Sequence, residues 1–177
     1  MDLKALIREI PDFPRPGVNF KDITTVMKDA DALGYIIRTI GRRFRDERVE
    51  MVVGVESRGF ALGAPLAYEL GAGFVLIRKP GKLPAEKIRV EYELEYGRDA
   101  LEIHKDALRA RQRVLLVDDL LATGGTMGAA ARLVQQLEAQ IVGFAFLIEL
   151  AFLGGRKRLE SLGFDSDRIL ALVRYDA

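Results

Sequence analysis

VLLVDDLLATGGT, residues 114–126, is the stretch whose reading decides the fold. Four apolar residues run straight into Asp118 and Asp119, and a Thr-Gly-Gly-Thr follows at 123–126. A short uninterrupted apolar run reads as a parallel strand covered on both faces. Such a strand cannot keep two unpaired ionised carboxylates in its interior, because desolvating them costs several kcal/mol per ion, so the pair is expected at the strand's rim. In open α/β sheets ligands gather beyond the carboxyl ends of the strands. Adjacent carboxylates there suit a vicinal diol, a hydrated metal ion, or both. Ala122, Thr123, Gly124, Gly125 and Thr126 then open a helix, where inward-turned N–H groups, threonine hydroxyls and the helix dipole favour an anion. A diol or metal on one side and a phosphate on the other describe a ribose 5-phosphate. The plainer alternative is a strand-turn-helix in which a threonine caps the helix and the glycines turn the chain. The acidic pair weighs against it. The Lys-Ser/Thr of a Walker A loop and the G-x-G-x-x-G of a dinucleotide fingerprint are both missing.

Working outward, MVVGV (51–55), GFVLI (73–77), IVGFAFLI (141–148) and ILALV (169–173) are further short apolar runs. Leu33, Ile36, Ile37, Ile40 and Phe44 recur at helical spacing among Arg38, Arg42, Arg43 and Arg45, which reads as an amphipathic helix with a solvated basic face. Further helices are expected over 59–70 and 126–137. Strand-helix-strand alternation predicts an α/β fold: an open, mostly parallel twisted sheet flanked by helices, with right-handed crossovers. One segment departs from this pattern. IRVEYELEY (88–96) alternates strictly, as an antiparallel strand with one solvent face does, and RKPGKLP (78–84) before it is rich in Pro, Gly and charge. A mobile hairpin or lid over about 79–97 is the inference.

Composition bounds the rest. The 177 residues are most simply one domain, and 49% of them are apolar, enough for one sizeable core. Twenty-seven basic against 26 acidic residues leave a net charge of +1, so no footprint for nucleic acid or an anionic membrane is present. With no cysteine, disulfide and thiolate chemistry are excluded and a reducing cytoplasm is compatible. The start, MDLKALIREIPDF, lacks the apolar run of a secretory signal. Gly59 to Ile77 has the length of a membrane span but contains Glu69, Pro65 and four glycines, and a helix followed by a buried strand explains it better.

With these residues in view, the sequence resembles the type I phosphoribosyltransferases, and most closely their adenine-specific members. Besides the strand, acidic pair and Thr-Gly-rich loop, four stretches carry the resemblance in the family's order: PDFPRPGVNFKDIT (11–24), GVESRGFALGAPLA (54–67), IRKPGKLP (77–84) and LEYGRDALEIHKDAL (94–108). It covers the chain from Pro11 to Thr126 and is less distinctive beyond. It implies transfer of the 5-phosphoribosyl group of 5-phosphoribosyl 1-diphosphate (PRPP) to adenine, with Mg2+ held mainly by PRPP, giving AMP and diphosphate in purine salvage. By the same resemblance Asp118 and Asp119 bind the ribose hydroxyls and 122–126 the 5-phosphate. Ser57, Arg58, Arg78, Lys79 and Lys82 serve the diphosphate, some of the lid cations across a subunit boundary. Glu95 is the general acid at adenine N7, Tyr96 helps set the lid, Phe20 stacks on the purine, Leu150 closes its other face, and backbone around Asn19 and Lys21 reads its edge. A cis peptide between Glu56 and Ser57, a homodimer, and a small hood built from about 1–30 and residues near 150 complete what is implied. Other purines, or a non-catalytic PRPP-sensing regulator, are the alternatives.

Without the resemblance several of these residues read otherwise. Alternation alone makes Glu95 one of the carboxylates on the hairpin's solvent face, and Phe20 alone reads as a core aromatic. Arg58 at a helix start opposes the dipole and so favours an anion ligand. His104, the only histidine, falls outside every matched position and reads as a surface residue. Thr25, where the family often has proline, and the plain Ala85-Glu86-Lys87 touch no expected role.

Overall fold

The computed structural model describes residues 1–93 and 97–177. The chain begins with a two-stranded antiparallel ribbon, β1 (Arg8–Ile10) and β2 (Phe20–Asp22), followed by a short α1 (Thr24–Met27). Leu3, Ile7, Ile23 and Val26 anchor this hood in the core. Asp22 fixes its exit: the carboxylate accepts from the Thr24 N–H at 2.9 Å and from Arg8 at 2.5 and 2.9 Å. Those bonds, the Thr24 backbone bond foremost, hold its pKa down at about 2. Next comes α2 (Ala30–Phe44), capped by Asp29, whose side chain accepts from the Ala32 N–H at 2.9 Å. It buries Ile36, Ile37, Ile40 and Phe44 and leaves its arginines in solvent, as its periodicity predicts.

Then β3 (Met51–Val55), α3 (Arg58–Leu70) and β4 (Gly73–Ile77) form a strand-helix-strand unit, so the span-length segment 59–77 is a helix and a strand. Among the described residues no helix is long and apolar enough to cross a membrane. An antiparallel hairpin follows, β5 (Lys87–Glu93) with β6 (Arg98–His104). Its alternation resolves as expected: Val90 and Tyr92 are buried while Arg89, Glu91 and Glu93 are exposed. The chain returns through β7 (Arg113–Leu121), α4 (Gly125–Gln136), β8 (Gln140–Leu150), α5 (Gly155–Ser161) and β9 (Ile169–Tyr175).

The central sheet has five parallel strands in the order β4-β3-β7-β8-β9. Alternate side chains feed two cores. Val52, Leu115, Val117, Ala145 and Leu147 meet α2, α3 and the hood, whereas Val53, Val55, Leu116, Phe144 and Phe146 meet α4 and the hairpin. Both faces are covered, which is why these strands are written without polar alternation. Chain direction along the sheet reverses between β3 and β7, the topological switch where such sheets open a crevice.

A buried ion pair ties the far edge together. Glu149, near the end of β8, accepts from Arg156 Nε at 3.0 Å and Nη2 at 2.7 Å, and Arg156 Nη1 also donates to the Ile169 carbonyl at 2.8 Å. Breaking such a pair leaves one charge buried without a partner. Arg156→Met should therefore destabilise the fold by about 3–5 kcal/mol in urea unfolding, and Glu149→Leu/Arg156→Met should recover most of that loss. Because the pKa of Asp22 is depressed, its contribution is complete above the ordinary carboxylate range and is lost as pH falls through about 2. Stability followed by circular dichroism should fall between about pH 4 and that value, and Asp22→Asn should flatten this part of the profile.

Candidate active site

The length of β7 sets the site. β3 stops pairing with it at Gly54 opposite Val117, but β8 continues alongside, with Asp118 opposite Phe146, Leu120 opposite Ile148 and Leu121 opposite Glu149. Asp118 and Asp119 therefore stand inside the strand, not past its end as the apolar run alone suggested. They lie at a rim only on the β3 side, where the edge of β7 is bare and the start of α3 comes up against it. Gly59 permits that approach: a Cβ there would lie 3.0 Å from both Asp118 Oδ1 and the Val117 carbonyl oxygen. The preceding Glu56–Ser57 peptide is cis, as the family likeness implied.

This junction opens a cavity of about 530 Å3, lined by Ser57, Arg58, Lys79, Asp118, Asp119 and all five residues 122–126, together with Glu56, Tyr92, Asp99 and Leu101. At its floor Asp119 takes a hydrogen bond from Arg58 Nε, and Asp118 Oδ1 accepts from the Asp119 N–H at 2.9 Å. Burial, reinforced by the neighbouring Asp119 charge, pushes the Asp118 carboxyl well above the ordinary range. For Arg58, burial opposes the charge, but Asp119, Asp118 and Asp22 outweigh it and raise the pKa. Arg58 meets this closely coupled acidic pair through Asp119, its direct hydrogen-bond partner.

The loop at 122–126 is not a side-chain cap. The residue preceding α4 is Gly124, at φ 77°, and it offers no side-chain acceptor to the first turn of the helix. A Cβ at Gly124 would also meet the Gly155 carbonyl oxygen at 2.8 Å. Neither threonine performs the capping that the plainer sequence alternative required; Thr126 Oγ1 instead donates to the Tyr92 hydroxyl at 3.4 Å. The first residues of α4, Gly125, Thr126 and Met127, line the cavity, and a helix start in that position is suited to phosphate.

The expected diphosphate cations separate into two groups. Arg58 and Lys79 line the cavity. Arg78 Nε and Lys82 Nζ turn instead to Glu56, at 3.0 and 3.5 Å, and Glu56 also accepts from the Lys79 N–H at 2.8 Å. Burial raises the Glu56 pKa, but these donors outweigh it and hold it low. The Lys79 ammonium lies 2.5 Å from Asp99, a hydrogen bond that raises the Lys79 pKa.

A second cavity, of about 770 Å3, lies under the hood and is lined by Asn19, Lys21, Leu150, Arg15, Val18 and Phe152 among others. It shares Ala122 and Thr123 with the first. Asn19 Nδ2 and Lys21 Nζ bind Glu9 at 2.7 and 2.9 Å, so both side chains are engaged within the hood. Phe20 is not among the lining residues. Its ring rests edge-on against Phe13, centroids 5.2 Å apart, and lies 5.7 Å from the Arg58 guanidinium. Glu95 and Tyr96 lie outside the described residues. His104 ends β6, within reach of the Ala85 N–H at 3.4 Å and away from the cavity.

Sequence reasoning missed Asp99 and the polar role of Tyr92. Tyr92 fell on the apolar face of the alternating strand, and its hydroxyl gave no signal of its own. Asp99 lies within the matched stretch LEYGRDALEIHKDAL, but that stretch drew attention to Glu95 and Tyr96 and gave Asp99 no role.

Comparison with known proteins agrees with this geometry. A family profile for the phosphoribosyl transferase domain matches residues 21–167. Over 175 residues the chain is 57% identical to an adenine phosphoribosyltransferase of Acaryochloris marina, covering 99% of this chain and 100% of the relative. It resembles the crystal structure of adenine phosphoribosyltransferase from Thermoanaerobacter pseudethanolicus with a TM-score of 0.93, at 53% identity and 98% coverage of both chains. The Saccharomyces cerevisiae enzyme, solved with adenine and an imino-altritol bisphosphate, gives a TM-score of 0.89 at 38% identity, covering 97% of this chain and 96% of that one. The chain belongs to the phosphoribosyltransferase family, among its adenine phosphoribosyltransferases.

Proposed function

We infer that the chain transfers the 5-phosphoribosyl group of PRPP to adenine, producing AMP and diphosphate in purine salvage. One observation carries this: a cavity with paired carboxylates, an arginine and an uncapped helix start adjoins an apolar-walled cavity under the hood, and Ala122–Thr123 is their common wall. A phosphorylated sugar fits the first and a flat base the second. The yeast relative was solved with a base and a bisphosphate sugar mimic together, which supports that pairing.

The chemistry follows from where charge grows. Breaking the bond between C1 and diphosphate leaves positive charge on the ribose ring and negative charge on the departing oxygen, and adenine N9 closes on C1. The protein's part is to hold fixed dipoles and cations where that charge develops. Asp118 and Asp119 hold the ribose hydroxyls, their oxygens accepting from the O–H groups. The start of α4 holds the 5-phosphate. Arg58 and Lys79 serve the leaving side, with Arg78 and Lys82 completing it as the lid rearranges. Glu95 faces adenine N7 as the general acid, its protonated carboxyl donating a hydrogen bond there, for which its pKa must rise, while the N9 proton passes to the departing diphosphate as N9 closes on C1. Phe20 stacks on the purine once its ring turns from Phe13, with Leu150 opposite.

The site also fits magnesium: the hard oxygens of Asp118 and Asp119 border the diphosphate position, and they suit a hydrated Mg2+ through its water shell. When bound, Mg2+ would neutralise charge on the departing diphosphate. The working form is a homodimer in the cytoplasm.

Purified protein should convert labelled adenine and PRPP to labelled AMP when Mg2+ is present and should prefer adenine over hypoxanthine and guanine; a folded protein without turnover would sink the assignment. Asp118→Asn/Asp119→Asn should weaken PRPP binding by about a hundredfold or more in calorimetry at an unchanged circular dichroism spectrum, since each bond to a charged group contributes about 1.5–3 kcal/mol. Glu95→Gln should lower kcat more than it raises the KM for PRPP, the pattern of a contact made in the transition state.

A further inference from the structure

Lys79 is the lid-base cation that reaches the sugar-phosphate cavity, yet its ammonium is already engaged. Its nitrogen lies 2.5 Å from Asp99 Oδ2. Asp99 lines the same cavity, with its side chain 19% exposed against 50% for Lys79. The carboxylate has further donors: the Ala100 N–H reaches Oδ1 at 2.8 Å and the Tyr92 hydroxyl reaches Oδ2 at 3.3 Å. Tyr92 is in turn linked at 3.4 Å to Thr126 of the phosphate loop.

We propose that Asp99 is a positioning residue that occupies Lys79 in place of the diphosphate, so that PRPP binds by exchanging one anionic partner of Lys79 for another. This rests on the cavity being the PRPP site. Two features make the exchange feasible. A partly exposed ion pair is a weak one, so a multiply charged diphosphate competes well for the ammonium. When Lys79 leaves, Asp99 is not stranded, because Tyr92 and the Ala100 N–H still satisfy it and water reaches it. Tyr92 thereby acts as the holder that lets Lys79 go. The same exchange aids turnover: as diphosphate departs, Asp99 takes the lysine back.

The consequence runs opposite to a supporting role. If Asp99 merely oriented Lys79 toward its ligand, removing its charge would weaken binding. If it competes, removal tightens binding. Asp99→Asn is conservative, since the amide oxygen can still accept from Ala100. Calorimetric titration of the full chain with inorganic diphosphate, in Mg2+ and with ribose 5-phosphate present, should show Asp99→Asn binding about two- to fivefold tighter than wild type, the range of a partly exposed ion pair. The gain should vanish in a Lys79→Met background, and Asp99→Glu should restore wild-type affinity. An unchanged or weaker affinity for Asp99→Asn, or an equal gain with and without Lys79, overturns the inference while leaving the site assignment standing. Wild-type protein that binds neither ribose 5-phosphate nor diphosphate overturns the site assignment and the exchange with it.

Discussion

The unequal pairing of β7 is the constraint from which the site follows. Beyond Val117 the strand keeps its hydrogen bonds to β8 but has none to β3, so one edge is held rigid while the other is bare. That asymmetry lets two consecutive acidic residues sit within regular strand without being sealed into a core. It also leaves room for the start of α3 to swing against β7 at Gly59, which brings Arg58 to Asp119. A symmetric sheet would bury the pair between neighbours and give the arginine nowhere to stand. The rigid β8 side then carries Leu150 at its end and, through the Glu149–Arg156 pair, the segment that closes the hood cavity.

Much of the architecture was legible in the sequence because each strand type leaves its own pattern. The five parallel strands are apolar runs because both faces are covered, and the hairpin alternates because one face is wet. The apolar stripe of α2 was equally plain. The true end of β7 was not, since Leu120 and Leu121 follow a charged pair and their strand partners lie on β8, a segment whose register no local pattern announces. For the site, local chemistry reached a phosphorylated sugar, and family likeness supplied the base and the roles of the lid.

What sequence could not show is who holds whom. Arg58 and Asp119 are 61 positions apart, and Lys79 and Asp99 are joined only because the hairpin folds back beside β4. Glu56 could be quoted as part of a motif, but its grip on Arg78, Lys82 and the Lys79 backbone depends on the course of the chain after β4. In each case a cation expected to meet substrate meets a carboxylate of its own chain. The positive residues are assembled with their charges already answered, which spares the site the mutual repulsion of several bare cations.

The wall formed by Ala122 and Thr123 belongs to both cavities. A side chain enlarged there would intrude on two ligands at once, so neither half of the site can be remodelled across that partition without disturbing the other. Divergence toward a different base is thereby channelled to the hood, whose ribbon and cis Phe13–Pro14 turn lie outside the sugar-phosphate half. The two halves of the site meet along a boundary only two residues wide.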